Sequence, residues 1–231
     1  MMPMIDPLYI IIMAPVLILS LWASIRVKTT FKKYSQVGSR SGMTGAEVAR
    51  LILRQNGLGN VDVVETSGFL SDHYDPRARV VRLSPDVYRS ASISAIGVAA
   101  HETGHAIQHS SHYSPLMLRN TMVPMASIGS NMSWIIIFAG LLLQMANLLL
   151  VGIVLFTAVV VFQMITLPVE FNASTRAKQV LATYGVLSSN ELAGVNKVLS
   201  AAAMTYVAAA ASSVATLLYY LLRFFLLSRD E

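Results

Sequence analysis

The fold and chemistry of this chain are organised around the stretch Ala99-Ala100-His101-Glu102-Thr103-Gly104-His105-Ala106, which has the pattern H-E-x-x-H. Residues four apart lie on one face of an α-helix, so His101 and His105 can hold one metal ion between their rings. Glu102 lies one step round the helix, within reach of a water on that metal. This spacing is typical of a zinc metalloprotease, with the Glu as general base. The alternative is an ordinary helix that carries two histidines.

The composition is that of a membrane protein with a modest water-facing part. Of the 231 residues, 55% are hydrophobic and only 13% are charged, whereas soluble domains carry about a quarter charged residues. The formal net charge of +5 would suit nucleic acid. However, the basic residues cluster beside an apolar run. We therefore expect no nucleic-acid partner and interpret these residues as setting the orientation of a membrane helix. Since the chain has no cysteine, zinc ligands must be His or carboxylate.

The apolar run 7–25 is about the length that a bilayer core requires. A cleaved signal peptide would have basic residues before its apolar core and a small-residue cleavage site after it. Asp6 precedes the run and no Lys or Arg occurs before Arg26, so we predict a retained transmembrane helix over residues 1–26. Basic residues then follow closely: Arg26, Lys28, Lys32, Lys33 and Arg40. By the positive-inside rule, that end faces the cytoplasm.

Two further apolar regions bring the predicted number of transmembrane helices to about four. Residues 121–167 contain no Asp, Glu, Lys or Arg and predict a hairpin of helices 2 and 3. Residues 201–231 predict a long, Ala-rich helix 4. Because a hairpin begins and ends on one side, residues 27–120 and 168–200 share a compartment and form the catalytic part. The predicted fold is mainly α and polytopic, in the cell membrane, with the catalytic site on the cytoplasmic side.

The water-facing part begins with a helix over residues 41–57, where Thr44 and Glu47 form a capping box. Residues 61–84 predict a small β-sheet, rich in valine and interrupted by turns. Many zinc proteases bind an extended substrate along an open sheet edge, and a structural hairpin is the equal alternative. The helix that carries the motif is predicted to run from about Ala91 to His109.

Three further histidines need to be weighed as metal ligands. His73 could be a ligand or could stabilise an oxyanion, although a lone histidine in a turn is more often solvated. His109 follows His105 by four residues. One straight helix cannot easily aim three successive turns at a tetrahedral metal, because each turn rises about 5.4 Å. We therefore expect His109 and His112 to be surface residues or outer hydrogen-bond partners of the site.

Glu170 is the best candidate for a third ligand. It is the only acidic residue between Glu102 and Glu191, and it follows the charge-free hairpin directly. It should therefore emerge from the bilayer on the same side as the H-E-x-x-H helix. Two histidines and one glutamate would leave the fourth zinc position to water. The alternative is an ordinary interfacial acid paired with Arg176 or Lys178.

Four stretches carry a resemblance that covers most of the chain in order: SGMTGAEVARLIL at 41–53, DHYDPRARVVRLS at 72–84, GVAAHETGHA at 97–106 and TLPVEFNASTRA at 166–177. They resemble the YugP-type neutral zinc metallopeptidases, bacterial multi-pass membrane proteins. More distantly, H-E-x-x-H followed by E-x-x-A resembles the HtpX-type and CAAX prenyl-protein proteases, which are membrane gluzincins. This resemblance implies a small gluzincin-like α/β part and carries the third-ligand role onto Glu170.

The resemblance is imperfect at one position near that glutamate. The distant relatives usually have an Asp four residues after the Glu, where this chain has Ser174. Asn172 or another group would then replace the Asp as the partner of the ligands.

Together these features predict a zinc-dependent metalloendopeptidase in which Glu102 activates a zinc-bound water. One more donor would stabilise the oxyanion, and its candidates are His73, Tyr74 and Arg176. The expected cofactor is one Zn²⁺ per chain, and the expected partners are a peptide or protein substrate, membrane-associated or not, and the lipid bilayer. The main alternative is a catalytically degenerate membrane scaffold that still binds zinc. A transporter is less favoured, because the hairpin lacks charged residues and the chain shows no internal repeat.

Overall fold

The computed structural model describes residues 6–68 and 70–229. Its helices are α1 Pro7–Ser35, α2 Gly45–Gln55, α3 Pro85–Tyr88, α4 Ile93–Ser110, α5 Ser114–Leu142, α6 Ala146–Thr183 and α7 Ser189–Leu227. Its strands are β1 Asp62–Glu65, β2 His73–Asp75 and β3 Val80–Leu83. The predicted mainly α fold with a small sheet is confirmed.

Four helices are long and apolar enough to cross a membrane, namely α1, α5, α6 and α7. The last two have 38 and 39 residues. At 1.5 Å per residue each is roughly 55–60 Å long, well beyond the ~30 Å of a bilayer core. The polytopic architecture is therefore as predicted, but α6 and α7 are longer than a span requires.

The chain divides into two compact units. The bundle unit comprises the described residues of Met1–Ala23, Leu118–Leu167 and Thr205–Glu231. Helices α5, α6 and α7 pack around Ile137, Leu149 and Ile153, which are almost fully buried. The motif unit comprises Ser24–Met117 and Pro168–Met204 and contains the H-E-x-x-H helix.

Helix α2 of the motif unit begins at the predicted capping box. The Glu47 amide donates to the Thr44 hydroxyl at 3.3 Å, and the Glu47 carboxylate accepts from the Thr44 amide at 2.8 Å. Val48 and Ile52, one turn apart, are fully buried. Gly57 follows the helix with a φ of +71°, which a residue with a side chain rarely adopts. Local sequence signals therefore account for both ends of this helix.

The sheet has the strand order β1-β3-β2. β3 pairs in parallel with β1, so that Val63 lies opposite Val81, and antiparallel with β2, so that Tyr74 lies opposite Val81 on the other side. Val81 and Leu83 are fully buried in the core beneath the sheet. β2, which directly precedes β3, is therefore an edge strand.

Helix α4 is the central element of the motif unit. Its N-cap is Ser92, whose hydroxyl accepts from the Ala95 amide at 3.3 Å. Its buried side chains take part in two hydrophobic clusters, one with α2 and the sheet and the other with α6 and α7. The motif histidines are consequently carried by a helix that is buried on most of its circumference.

Helix α6 continues through Pro168 to Thr183, whereas the apolar run predicted an end of the third span at residue 167. Beyond the proline, α6 presents a stripe of fully buried residues spaced four apart: Val169, Ala173, Ala177 and Leu181. Ala177 and Leu181 of this stripe pack in the same cluster as buried residues of α4. The burial of one whole face outweighs the single backbone hydrogen bond that a proline removes.

Candidate metal centre

Three side chains of the motif unit converge on one point and could hold a metal ion: His101, His105 and Glu170. The Glu170 Oε2 atom lies 3.2 Å from His101 Nε2 and 3.6 Å from His105 Nε2. Zinc bonds of 2.0–2.2 Å in a tetrahedron place ligand atoms roughly 3.3 Å apart. The donor set and these two distances therefore fit Zn²⁺.

Two helices position these ligands. His101 and His105 lie one turn apart on α4, with ring centroids 4.8 Å apart and ring planes 84° apart. Glu170 comes from α6, which approaches α4 closely at Gly104: a methyl group there would lie 2.7 Å from the Ala173 carbonyl oxygen. Only glycine permits this approach, so Gly104 determines how near Glu170 comes to the histidines.

The second nitrogen of each imidazole has its own partner. His101 Nδ1 lies 3.2 Å from the hydroxyl of Ser174, and His105 Nδ1 lies 2.9 Å from the side-chain oxygen of Gln108. Partners of this kind orient metal-binding histidines and set their tautomers. Both are neutral groups, and Ser174 occupies the position where the distant relatives usually carry an Asp.

Gln108 is the residue that the sequence analysis missed. It is fully buried, and its amide nitrogen donates to the Val169 carbonyl at 2.8 Å and to the Asn172 Oδ1 atom at 3.0 Å. The available signal was its place three residues after His105, on the same face of the helix. That spacing alone does not distinguish an inward amide from an exposed one.

The acidic groups make the centre attractive to a cation. Burial lowers the pKa of the His105 imidazole, but the Glu170 carboxylate 3.6 Å from its Nε2 atom and the charge of Glu102 outweigh burial and raise the pKa overall. Burial also raises the pKa of the Asp72 carboxyl, and the nearby charge of Glu102 adds to that effect, against opposing hydrogen bonds from Ser84. The charge of Glu102 thus acts on both His105 and Asp72, and only 8% of the Glu102 surface is exposed.

Asp72 joins the sheet to the start of α3. Its carboxylate accepts from the Ser84 amide at 2.7 Å and from the Ser84 hydroxyl at 3.0 Å. Ser84 has the extended backbone of an N-cap, but its hydroxyl donates to Asp72 and makes no capping bond. This contact holds the segment before β2 against the end of β3.

The other candidate residues from the sequence lie in two places. His73 is exposed on β2 with its Nδ1 atom 2.8 Å from the Ser71 carbonyl oxygen, and the Tyr74 hydroxyl lies 2.8 Å from His109 Nδ1. Asn172 and Arg176 instead lie on α6, which also carries the candidate ligand Glu170, and the Arg176 Nε atom donates to Asn172 Oδ1 at 2.8 Å.

Comparison with known proteins gives two matches. Residues 9–225 match the family described as "Putative neutral zinc metallopeptidase". The chain is 53% identical over 227 residues to "Putative membrane protease YugP" of Bacillus subtilis (strain 168). The aligned region covers 97% of this chain and 99% of that protein. No solved structure matches the chain.

Proposed function

Because this chain belongs to the neutral zinc metallopeptidase family, we propose that it is a zinc-dependent endopeptidase of the cell membrane with one zinc ion per chain. The observation that carries the proposal is the convergence of His101, His105 and Glu170, with Glu102 next to His101 in the chain. Two imidazole nitrogens and one carboxylate oxygen would hold the metal, which would leave a fourth ligand position to water. Three protein ligands and an open position are typical of catalytic zinc, whereas structural sites usually have four protein ligands.

Glu102 acts as the proton carrier of the reaction. When bound, zinc supplies a Lewis acid that polarises a peptide carbonyl and makes a water more acidic. The Glu102 carboxylate takes a proton from the attacking water as a new C–O bond forms at the carbonyl carbon. It then gives that proton to the amide nitrogen as the C–N bond breaks. His73, Tyr74 and Arg176 are the candidates for a further donor to the developing oxyanion.

The edge strand β2 is the proposed docking site for an extended peptide. It pairs with β3 on one side and contacts α4 through the Tyr74–His109 hydrogen bond. A peptide that adds to this edge gains main-chain hydrogen bonds that do not depend on its sequence. The proposed substrate class is therefore an unfolded or extended segment of a peptide or protein.

The site faces the cytoplasm in this proposal. The polar continuation of α1 carries Arg26, Lys28, Lys32 and Lys33 directly after the apolar run, and short basic segments are retained on the cytoplasmic side. A cysteine introduced at exposed Ser110 should then react with a membrane-impermeant maleimide only after cells are opened. Labelling of intact cells would contradict this orientation.

The decisive experiment compares Glu102→Gln with Glu47→Gln in the purified full-length protein. Loss of a general base lowers turnover by about 10²- to 10⁴-fold, so Glu102→Gln should abolish cleavage of labelled casein while zinc content, measured by mass spectrometry, is retained. Glu47 is an exposed carboxylate in the capping box of α2, and its replacement should leave cleavage intact.

Two results would count against the proposal. Cleavage by Glu102→Gln at the wild-type rate would remove Glu102 from the mechanism. A wild-type protein that binds zinc but cleaves neither casein nor any protein trapped by Glu102→Gln in native membranes would favour the degenerate scaffold.

A further inference from the structure

The side chain of Gln108 is fully buried beside His105 and uses all of its polar atoms. Its oxygen lies 2.9 Å from His105 Nδ1, and its nitrogen lies 2.8 Å from the Val169 carbonyl and 3.0 Å from Asn172 Oδ1. A buried amide with three satisfied contacts has one orientation available, because turning it over would set like atoms against each other.

The hydrogen bonds run from Arg176 through Asn172 and Gln108 to His105, and Arg176 determines which atom donates in each of them. A guanidinium can only donate, so the Asn172 Oδ1 atom that receives the Arg176 Nε hydrogen at 2.8 Å is an acceptor. The Val169 carbonyl is also an acceptor. Gln108 must therefore donate both of its amide hydrogens, and its oxygen must accept a hydrogen from His105 Nδ1.

We propose that Arg176, Asn172 and Gln108 form an amide relay that holds His105 in the tautomer with its hydrogen on Nδ1. The lone pair of His105 is then on Nε2, which lies 3.6 Å from the Glu170 carboxylate and faces the metal position. All three members are positioning residues for His105, and in this role Arg176 acts through Asn172 and Gln108. The relay rests on the proposed function, since it prepares His105 for the proposed zinc ion.

The two histidines differ in how firmly they are held. The hydroxyl of Ser174, 3.2 Å from His101 Nδ1, can donate or accept and thus accommodates either tautomer of His101. The relay at His105 admits only one. A carboxylate would also hold a histidine in this way but would add a negative charge. The relay achieves the same orientation with neutral groups next to the metal ligands.

Isosteric substitutions at Asn172 test the relay. Asn172→Asp keeps an oxygen that can accept from both Arg176 and Gln108, whereas Asn172→Leu has a similar size and no acceptor. Loss of an outer hydrogen-bond partner typically weakens metal binding 10- to 100-fold. We expect about that loss for Asn172→Leu and for Gln108→Met. For Asn172→Asp, whose added negative charge favours a cation, we expect a zinc affinity at least equal to that of the wild type.

Zinc affinity is measured by chelator competition on the full-length protein, and the Co²⁺-substituted protein gives a second measurement. The visible Co²⁺ bands report ligand geometry, so they should shift in Asn172→Leu and Gln108→Met and return in Asn172→Asp. Ser110→Ala on α4 and Thr175→Ala on α6 are exposed controls that should match the wild type. Arg176→Met should weaken zinc in the same direction without contacting any ligand.

Equal losses in Asn172→Asp and Asn172→Leu would overturn the relay, as would wild-type zinc affinity and Co²⁺ bands in Asn172→Leu. If Gln108→Met does not fold, the Asn172 pair and Arg176→Met still decide the matter. These measurements are independent of proteolysis. The relay can therefore fail in a protein that cleaves casein, and the proposed function can fail in a protein whose relay variants behave as expected.

Discussion

Helix α6 makes two close contacts with other helices, and in each of them a glycine of the other helix meets the α6 backbone. The two contacts differ in function. In the motif unit, a methyl group added at Gly104 would lie 2.7 Å from the Ala173 carbonyl oxygen. In the bundle unit, a methyl group added at Gly140 would lie 2.7 Å from the Leu149 backbone nitrogen. Both glycines let α6 approach another helix to backbone contact, and only the residues around each contact distinguish them.

Around Gly140 the neighbours are apolar. Ile137 and Leu149 are almost fully buried there, and Gly152 supplies a second close approach to Ile137. Small residues of this kind let helices pack tightly where lipid gives no hydrophobic driving force between them. This contact holds a hairpin together and carries no titratable group, since residues 120–169 lack Asp, Glu, Lys and Arg.

Around Gly104 the neighbours are polar and ordered by hydrogen bonds. His101 and His105 flank the glycine on α4, and Glu170 stands one turn before Ala173 on α6. Backbone contact at Gly104 brings Glu170 within 3.2 Å and 3.6 Å of the two rings. Close helix packing at a glycine therefore occurs with or without a functional site. A candidate metal site arises only where side chains able to bind a metal surround the contact.

The largest effect should come from Glu170→Gln, which replaces a proposed ligand with a neutral amide. Outer partners contribute about 10- to 100-fold to metal affinity, so the loss here should exceed about 100-fold. Glu191→Gln is the matched control: this other buried glutamate of the motif unit accepts from the Ser188 and Arg40 amides, away from the three ligands. Full zinc occupancy in Glu170→Gln would remove Glu170 from the ligand set.

A smaller effect is expected from Gly104→Ala. The added methyl group would push α6 away from α4, and overpacking of this kind costs about 1–3 kcal/mol. If the strain falls on the ligands, zinc affinity should drop roughly 5- to 150-fold. The measurement is chelator competition on the purified protein.

Gly97→Ala on the same helix is the control for that experiment. A methyl group there would contact only the Val195 side chain, at 3.2 Å. Alanine also stabilises a helix by about 1 kcal/mol relative to glycine. We expect near wild-type stability and zinc affinity. Equal losses in the two variants would show that any substitution in α4 disturbs the site and that close approach at Gly104 has no special role.

The smallest effect on zinc is expected from Gly140→Ala. This change should lower the free energy of unfolding by about 1–3 kcal/mol through overpacking of the hairpin, measured by thermal denaturation in detergent. Zinc affinity of the folded protein should equal that of the wild type. A loss of zinc similar to that of Gly104→Ala would contradict the separation of packing from chemistry in the two contacts.

Much of the fold could be predicted because its signals are local. The capping box at Thr44 and Glu47 depends on groups three residues apart, and the pairing of His101 with His105 depends on a single helical turn. The apolar runs are long enough to indicate spans by length alone. The prediction of Glu170 as a third ligand depended on two further arguments, the number of membrane spans before it and the resemblance to known metallopeptidases.

Other features could not be predicted, because they depend on residues far apart in the chain. β1 pairs in parallel with β3, so that Asp62 lies opposite Val80. The turns between the strands are compatible with more than one strand order, so they did not predict this pairing. The continuation of α6 through Pro168 depends on its burial against α4, which no local propensity reveals. A proline there was equally consistent with the end of the span.

The sequence by itself determined the elements of this protein: four long apolar helices, a small valine-rich sheet and two histidines on one face of a helix. These follow from hydrophobic length, alternation and helical periodicity, which act over a few residues. Only the tertiary structure decided the partners of the histidines, Ser174 for His101 and Gln108 for His105. Gln108 acquires its orientation from Val169 and Asn172, more than 60 residues away. A hydrogen bond depends on distance and angle in space, and helix packing at Gly104 sets both.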